Sequence, residues 1–442
     1  MKTQSRIFGH RLLVGLALVA LFCLPARAAD LDALGERVLA ELIWQKNPEV
    51  RQARLAEKQA AGDVVRASLL SNPTLELSAG NAPLTSTVVN YPHDASNPPL
   101  PPGYGPQYSV GFAQPYEWGK RGLRHQQAVL AQDSARIAAL ALHKERTADL
   151  LQVLVRLAAS ELRTEHLRLQ LASVDDLMRI TRLSAKEGVV APLEAEKLSI
   201  EQGRLQTLQE SARLSTEEAR VDWERLTLQP APELDAKEAE AVLARLNRLP
   251  EAWPGPEARD HSLQWRQLSL ADRQAQTALT LADRLRMPDV TFGLAYTTSR
   301  LPGDPQHAVS STLSFGLPVF HAGQAERLEA QNQLEGARLA GEHWRERVLR
   351  EEDALRRRAV SLTQMLARLQ QTRLASAQST LVRLDRALAA RGIPLSEVIQ
   401  VRRAVLDMES ERVEMLEQLG STLVEYRRLL AWNLPDPEGV HP

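Results

Sequence analysis

Catalytic and metal chemistry would have to come from a short inventory. Nine histidines follow residue 28, from His93 to His441, and no two sit four apart on one predicted helix. The only cysteine is Cys23, inside the first 28 residues. No nucleophile elbow, phosphate loop or Gly-rich dinucleotide fingerprint is present. The expectation is therefore no catalytic residue, no cofactor, no metal site, and a protein that is not an enzyme. The charged residues in patterned places are few. Lys120 and Arg121 close the run Gln114-Pro115-Tyr116-Glu117-Trp118-Gly119-Lys120-Arg121. Asp385 and Arg386 follow a Leu381/Leu384 stripe, and Glu194 and Glu397 flank two Gly/Pro breaks. What such groups can do is form ion pairs and select charge.

The elements that hold them are mostly helical. The chain has 442 residues, 4% of them aromatic, with 54 Lys+Arg against 55 Asp+Glu. Ala, Leu, Arg, Glu and Gln dominate long stretches, as in long helices. The balanced charge argues against nucleic acid as a partner, which needs a basic surface. Lys2, Arg6 and Arg11 precede an apolar run over 12–24, followed by Ala26-Arg27-Ala28. That order predicts a secretory signal peptide over 1–28. Its removal takes away four bases (Lys2, Arg6, Arg11, Arg27) and no acid, so the formal charge moves from -1 to −5. Cys23 leaves with it, preceded by Ala20-Leu21-Phe22, which does not suit lipid anchoring.

The remainder reads as a duplication. Ala56-Glu57-Lys58-Gln59-Ala60 returns as Ala271-Asp272-Arg273-Gln274-Ala275, and Pro73 returns as Pro288. Pro115 returns as Pro318, and the stretch 221–226 as 424–429. The predicted organisation is a first repeat over 29–228, a linker or equatorial segment over 229–260, a second repeat over 261–434 and a tail over 435–442. Each repeat reads as helix, two strands, long helix, break, long helix. Alternating apolar and small polar residues place strands at 74–80 and 107–114, then at 289–298 and 309–317. The segment between the first two strands, 81–106, is rich in Pro, Asn and Ser and reads as an exposed loop. From 121 to 186 there is no proline and the only glycine is Gly122. Helix breaks fall at 188–192 and 392–394, where Gly ends one helix and Pro opens the next.

No apolar run after the signal peptide is long enough for a membrane helix. The strands, however, have the length of membrane-crossing strands and one apolar face. Four such strands cannot close a barrel, and lipid tolerates no open edge. A membrane role would therefore require several copies. The alternative is a soluble hairpin packed on a helical bundle.

The signal peptide, the duplicated helix–hairpin–long-helix unit and the Gly/Pro tips resemble the outer-membrane efflux protein family, of which TolC is the type. The resemblance spans about residues 31 to 434. It implies a mainly α fold with a small β part: a homotrimeric α-helical tunnel continued by a 12-stranded β-barrel, four strands per chain. It implies an outer-membrane location reaching into the periplasm, with contact to lipid, a periplasmic adaptor and an inner-membrane RND-type pump. Contacts to the adaptor would come from the tips: Gly188, Val189, Pro192, Leu193 and Glu194 in one repeat, and Gly392, Ile393, Pro394, Leu395 and Glu397 in the other. Asp385, with Arg386 beside it, would form a pore gate or a ring of like charge. The run Gln114, Pro115, Glu117, Gly119, Lys120 and Arg121 is similar to the motif of the CzcC-like heavy-metal branch. That likeness implies efflux of cations such as Co, Zn and Cd. Multidrug efflux, type I secretion and a periplasmic coiled-coil adaptor are the alternatives.

Overall fold

The computed structural model describes residues 35–80, 106–186, 192–250, 253–300, 305–389, 395–430 and 434. The expected signal peptide, the loop 81–105, the tail 435–442, and Gly188, Val189, Gly392, Ile393 and Pro394 lie outside these residues.

The chain runs α1 (Glu36–Lys46), α2 (Pro48–Ser68), β1 (Thr74–Gly80), β2 (Gln107–Tyr116), α3 (Arg121–Lys186), α4 (Pro192–Thr227), α5 (Ala236–Leu246), α6 (Pro256–Asp260) and α7 (Leu263–Arg284). It continues through β3 (Val290–Arg300), β4 (Pro305–Phe315), α8 (Gln324–Arg368), a π-helical turn (Leu369–Leu374), α9 (Ala375–Ala389) and α10 (Leu395–Leu430). Two compact units result. One comprises 35–54, 137–266 and 343–434, the other 55–136 and 267–342. Each unit draws on both repeats, so the duplicated sequence does not fold as two separate halves.

The helices follow their local signals. Asn47 separates α1 from α2 and caps the latter, its Oδ1 accepting from the N–H groups of Glu49 and Val50 at 3.1 Å. Its Nδ2 donates to the Leu226 carbonyl at 2.9 Å, tying the cap to the end of α4. Asp235 and Glu238 form a reciprocal capping box at α5. Pro256 opens α6, where a missing N–H costs nothing. The segment 229–260, expected as a linker or equatorial segment, carries two helices. The amphipathic face of α5, with Val242, Leu243 and Leu246 buried, is what fixes it to the core.

The core of the first unit forms around the middle of α3. Leu150, Leu151, Leu154, Leu157 and Ala158 are fully buried there against α4, α5 and α10. On α4 the buried positions Leu198, Leu205, Ala212, Ala219 and Leu226 recur every seven residues, the period of a coiled-coil seam. The closest approach is at Gly420 of α10. A Cβ there would stand 3.0 Å from Asn247 Oδ1 and from both Val155 methyls.

The second unit holds one antiparallel sheet in the order β1-β2-β3-β4. Its strand ends differ from the sequence pattern. β2 continues through Pro115 to Tyr116, and β4 covers Pro305–Phe315, not 309–317. Pairing sets these limits. β1 begins at Thr74, opposite Ala113, so Pro115 lies where β2 has a neighbour on the β3 side alone. A residue without an N–H is tolerated in such a place. At the other hairpin, Arg300 pairs with Pro305, so β4 starts as soon as the chain has turned.

Gly420→Ala is expected to destabilise the helical unit by about 1–3 kcal/mol through overpacking. Urea unfolding of the detergent-solubilised chain, followed by far-UV circular dichroism, measures this. An unchanged midpoint would mean that α3 and α5 shift aside freely.

Candidate functional site

Register sorts the sheet into two chemically different faces. Leu75, Phe112 and Leu294 align across β1, β2 and β3, and Leu77, Val110, Tyr296 and Val309 align across all four strands. These side chains are exposed; Leu77 and Val309 are each 70% accessible. The opposite face aligns Ser78, Ser109, Thr297 and Ala308. One face is therefore an apolar sheet surface that no described side chain covers, and the other is small and polar. Among the described residues the outer sides of β1 and β4 have no strand partner, so a row of backbone N–H and C=O groups stands open at each edge.

Below the strands lies a second exposed apolar group. Tyr116 and Trp118 meet edge to face at 6.1 Å, and Leu317, Val319 and Phe320 are exposed, Phe320 at 97%. Here the charged run is resolved. Gln114 Nε2 donates to the carbonyls of Ser71 at 2.8 Å and of Pro115 at 3.0 Å. Glu117 pairs with Arg124. Gly119 turns the chain at φ 69°, and Gly323 makes the matching turn at φ 77°. Both lie in the left-handed region that glycine enters without penalty. Lys120 is 4% exposed, and its Nζ donates to Asp289 Oδ1 at 2.9 Å. The lysine of the first repeat is thereby fixed to the residue just before β3 in the second. Arg121 opens α3 and is exposed.

The tip residues are placed as follows. Leu193 is exposed on the first turn of α4. Glu397 is exposed on the first turn of α10, one residue before the buried Val398. Pro192 and Leu395 are the first residues of α4 and α10, and Glu194 lies on α4. Asp385 and Arg386 lie on α9, with Arg386 exposed. The side chains of Pro192, Glu194, Leu395 and Asp385 fall outside the described residues.

A charged cluster that the sequence reading missed ties α4 to α10. Glu201 is 3% exposed and pairs with Arg403, and with Arg204 at 3.2 Å. Arg204 also reaches Asp407 at 3.7 Å. The available signal was positional: Glu201 occupies the apolar seam between Leu198 and Leu205, where an acid needs a cation. Among the described residues no group of three or more His, Cys, Asp and Glu could hold a metal ion. No described helix is long and apolar enough to cross a membrane.

No protein-family model matches the chain, and no curated protein matches it in sequence. Solved structures do share its fold. The outer membrane protein VceC of Vibrio cholerae aligns at TM-score 0.68 and 14% identity, over 90% of this chain and 97% of its own. The CmeC outer membrane channel of Campylobacter jejuni aligns at 0.70 and 13%, over 89% and 85%. The open-state MtrE outer membrane channel of Neisseria gonorrhoeae aligns at 0.69 and 14%, over 92% and 91%. The fold expected from the sequence, mainly helical with a small four-stranded sheet, is the fold found.

Asp289→Ala would strand the Lys120 ammonium in its buried site and is expected to cost about 3 kcal/mol. Lys120→Met fills the same space without a charge and should cost less than about 1 kcal/mol. Unfolding midpoints of the two variants decide the order; equal losses would mean that the pair acts only through packing.

Proposed function

We propose that this protein is the outer-membrane exit channel of a tripartite efflux system. The observation that carries the reading is the bare apolar sheet face together with two unpaired edges. Three chains, each laying β4 against β1 of the next, would make twelve strands without a free edge. The apolar face would then meet lipid and the small polar face a water-filled lumen, the alternation of transmembrane barrels. β2, β3 and β4 have 10, 11 and 11 residues, in line with the roughly 9–11 of a tilted membrane-crossing strand. Tyr116, Trp118 and Phe320 would form an aromatic girdle at one membrane surface. The shared fold over about nine-tenths of the chain with proteins described as outer membrane channels supports this reading.

In this role the protein conducts passively and catalyses nothing. The tips around Leu193 and Glu397 would dock a periplasmic adaptor, and an RND-type pump in the inner membrane would drive the flow. Asp385 and Arg386 would set the charge of the closed end. Heavy-metal cations are the proposed cargo, on the strength of the Gln114–Arg121 run. Because Lys120 is committed to Asp289, that run shapes the turn into α3 and leaves the cargo unbound.

Three measurements test this. On fractionation the chain should sediment with outer membranes and require detergent, and the purified protein should open stepwise conductances in planar bilayers. Recovery in the soluble periplasm would sink the channel reading. A deletion strain should become sensitive to Zn, Co or Cd salts while keeping its tolerance to dyes and antibiotics. The reverse pattern would replace the metal cargo with drugs and leave the channel standing.

A further inference from the structure

The small polar face of the sheet carries a single charge. The register assigns to this face every second residue from Thr74 on β1, Gln107 on β2, Thr291 on β3 and Gln306 on β4. Among those positions Glu76 is the only acid or base. It is exposed and lies in one row with Gly111, Ala295 and Ser310. Nothing longer than a serine stands beside it in that row. The two adjoining rows hold only Gly, Ala, Ser and Thr. In one of them Ser78 and Ser109 bond to each other at 2.6 Å and leave the carboxylate alone.

The strand does not demand an acid at this place. The spacing that carries Pro73 onto Pro288 carries Glu76 onto Thr291, which stands on the same polar face of β3. A charge on an edge strand can also serve to discourage unwanted pairing. It would do so best on the apolar face, where an intruding sheet would have to bury it. Glu76 stands on the opposite face, the one that the channel reading fills with water.

Assembly would not neutralise this charge. In a closed barrel β1 meets β4 of the next copy. At any register that keeps the two faces apart, β4 brings Gln306, Ala308, Ser310, Thr312 or Ser314 to that side, and none of them is a base. Copies related by rotation about the barrel axis hold their Glu76 side chains at one level. Twelve strands about 4.8 Å apart and tilted by about 40° make a ring roughly 12 Å in radius. An ion on the axis is then about one screening length from all three carboxylates, that length being about 10 Å at ~0.1 M salt.

We propose that Glu76 is the charge-selecting residue of the barrel, a ring of three carboxylates that favours cations over anions on their way out. The proposal rests on the channel reading and adds to it the residue and the sign of charge that govern passage through the lumen. Three unit charges at that distance favour K⁺ over Cl⁻ by about threefold at ~0.1 M salt. At ~1 M, where the screening length is about 3 Å, the preference they supply vanishes.

The experiment uses the full chain purified from membranes and inserted into planar bilayers, with reversal potentials read across a KCl gradient. Glu76→Gln should lower the K⁺/Cl⁻ permeability ratio about threefold from the wild-type value near ~0.1 M salt. Glu76→Thr, which copies the residue of the equivalent strand, should do the same, and Glu76→Asp should keep the wild-type ratio. In ~1 M KCl the variants and the wild type should converge. Glu76→Gln channels that open with the wild-type ratio would overturn the ring and leave the channel reading in place. Failure of both neutral variants to open channels would assign the carboxylate to assembly and overturn it as well. Wild-type protein that opens no channel would remove the channel reading itself, and the ring with it.

Discussion

A β-strand must pair its backbone groups on both sides, and this chain leaves two strands half-paired. Among the described residues the sheet β1-β2-β3-β4 has no helix over its apolar face and no strand beyond either edge. In water such a surface invites uncontrolled association. Within the proposed barrel the same surface would be fully satisfied, with lipid against the side chains and neighbouring strands against the backbone. The placement of the other parts follows from that requirement. Gly119 and Gly323 turn the chain out of the sheet in the left-handed conformation. The Lys120–Asp289 bridge holds the two hairpins of one chain in a common register.

The helical unit solves a different problem, that of keeping long helices parallel without a thick core. Its apolar contacts are concentrated around α3 between Ala148 and Leu162. Farther along, the seams thin to single residues such as Leu198 and Leu205, and buried charge takes over part of the work. Glu201 is clamped by Arg204 and Arg403. Glu352, nearly buried, accepts from Arg259 at 2.6 Å and from the Tyr426 hydroxyl at 3.3 Å. Burial, reinforced by the Glu352 charge, pushes the ionisation of Tyr426 above its ordinary range, so the phenol stays a donor. Such pairs add less to stability than to geometry, because each demands one partner at one place.

What the sequence made legible was periodic or punctuated. The 3.6-residue pattern and the absence of proline delimited α3 at 121–186, and strict alternation located the four strands. The duplication was visible because Pro73, Pro115, Pro288 and Pro318 are landmarks that backbone geometry enforces. What stayed hidden depends on distant pairing. No local pattern connects Lys120 with Asp289, 169 residues away, or Glu201 with Arg403. The strand ends moved for the same reason, since β2 and β4 stop where their neighbours allow. The helices α5 and α6 lie in a segment for which no helices were expected from the sequence. The π turn left no signal at all, as Leu369-Gln370-Gln371-Thr372-Arg373-Leu374 is an ordinary helical sequence.

That turn gives the duplicated halves different characters. The run 324–389 contains as many residues as α3, yet only one of the two passes through a π segment. Replacing i→i+4 by i→i+5 bonds admits an extra residue per turn and rotates everything beyond it. The faces of α9 are therefore phase-shifted against those of α8, whereas α3 keeps one phase throughout. Two halves that began as copies cannot now exchange positions. Any ring built from this chain would alternate between unlike members, and its true symmetry would be half of what its helix count suggests.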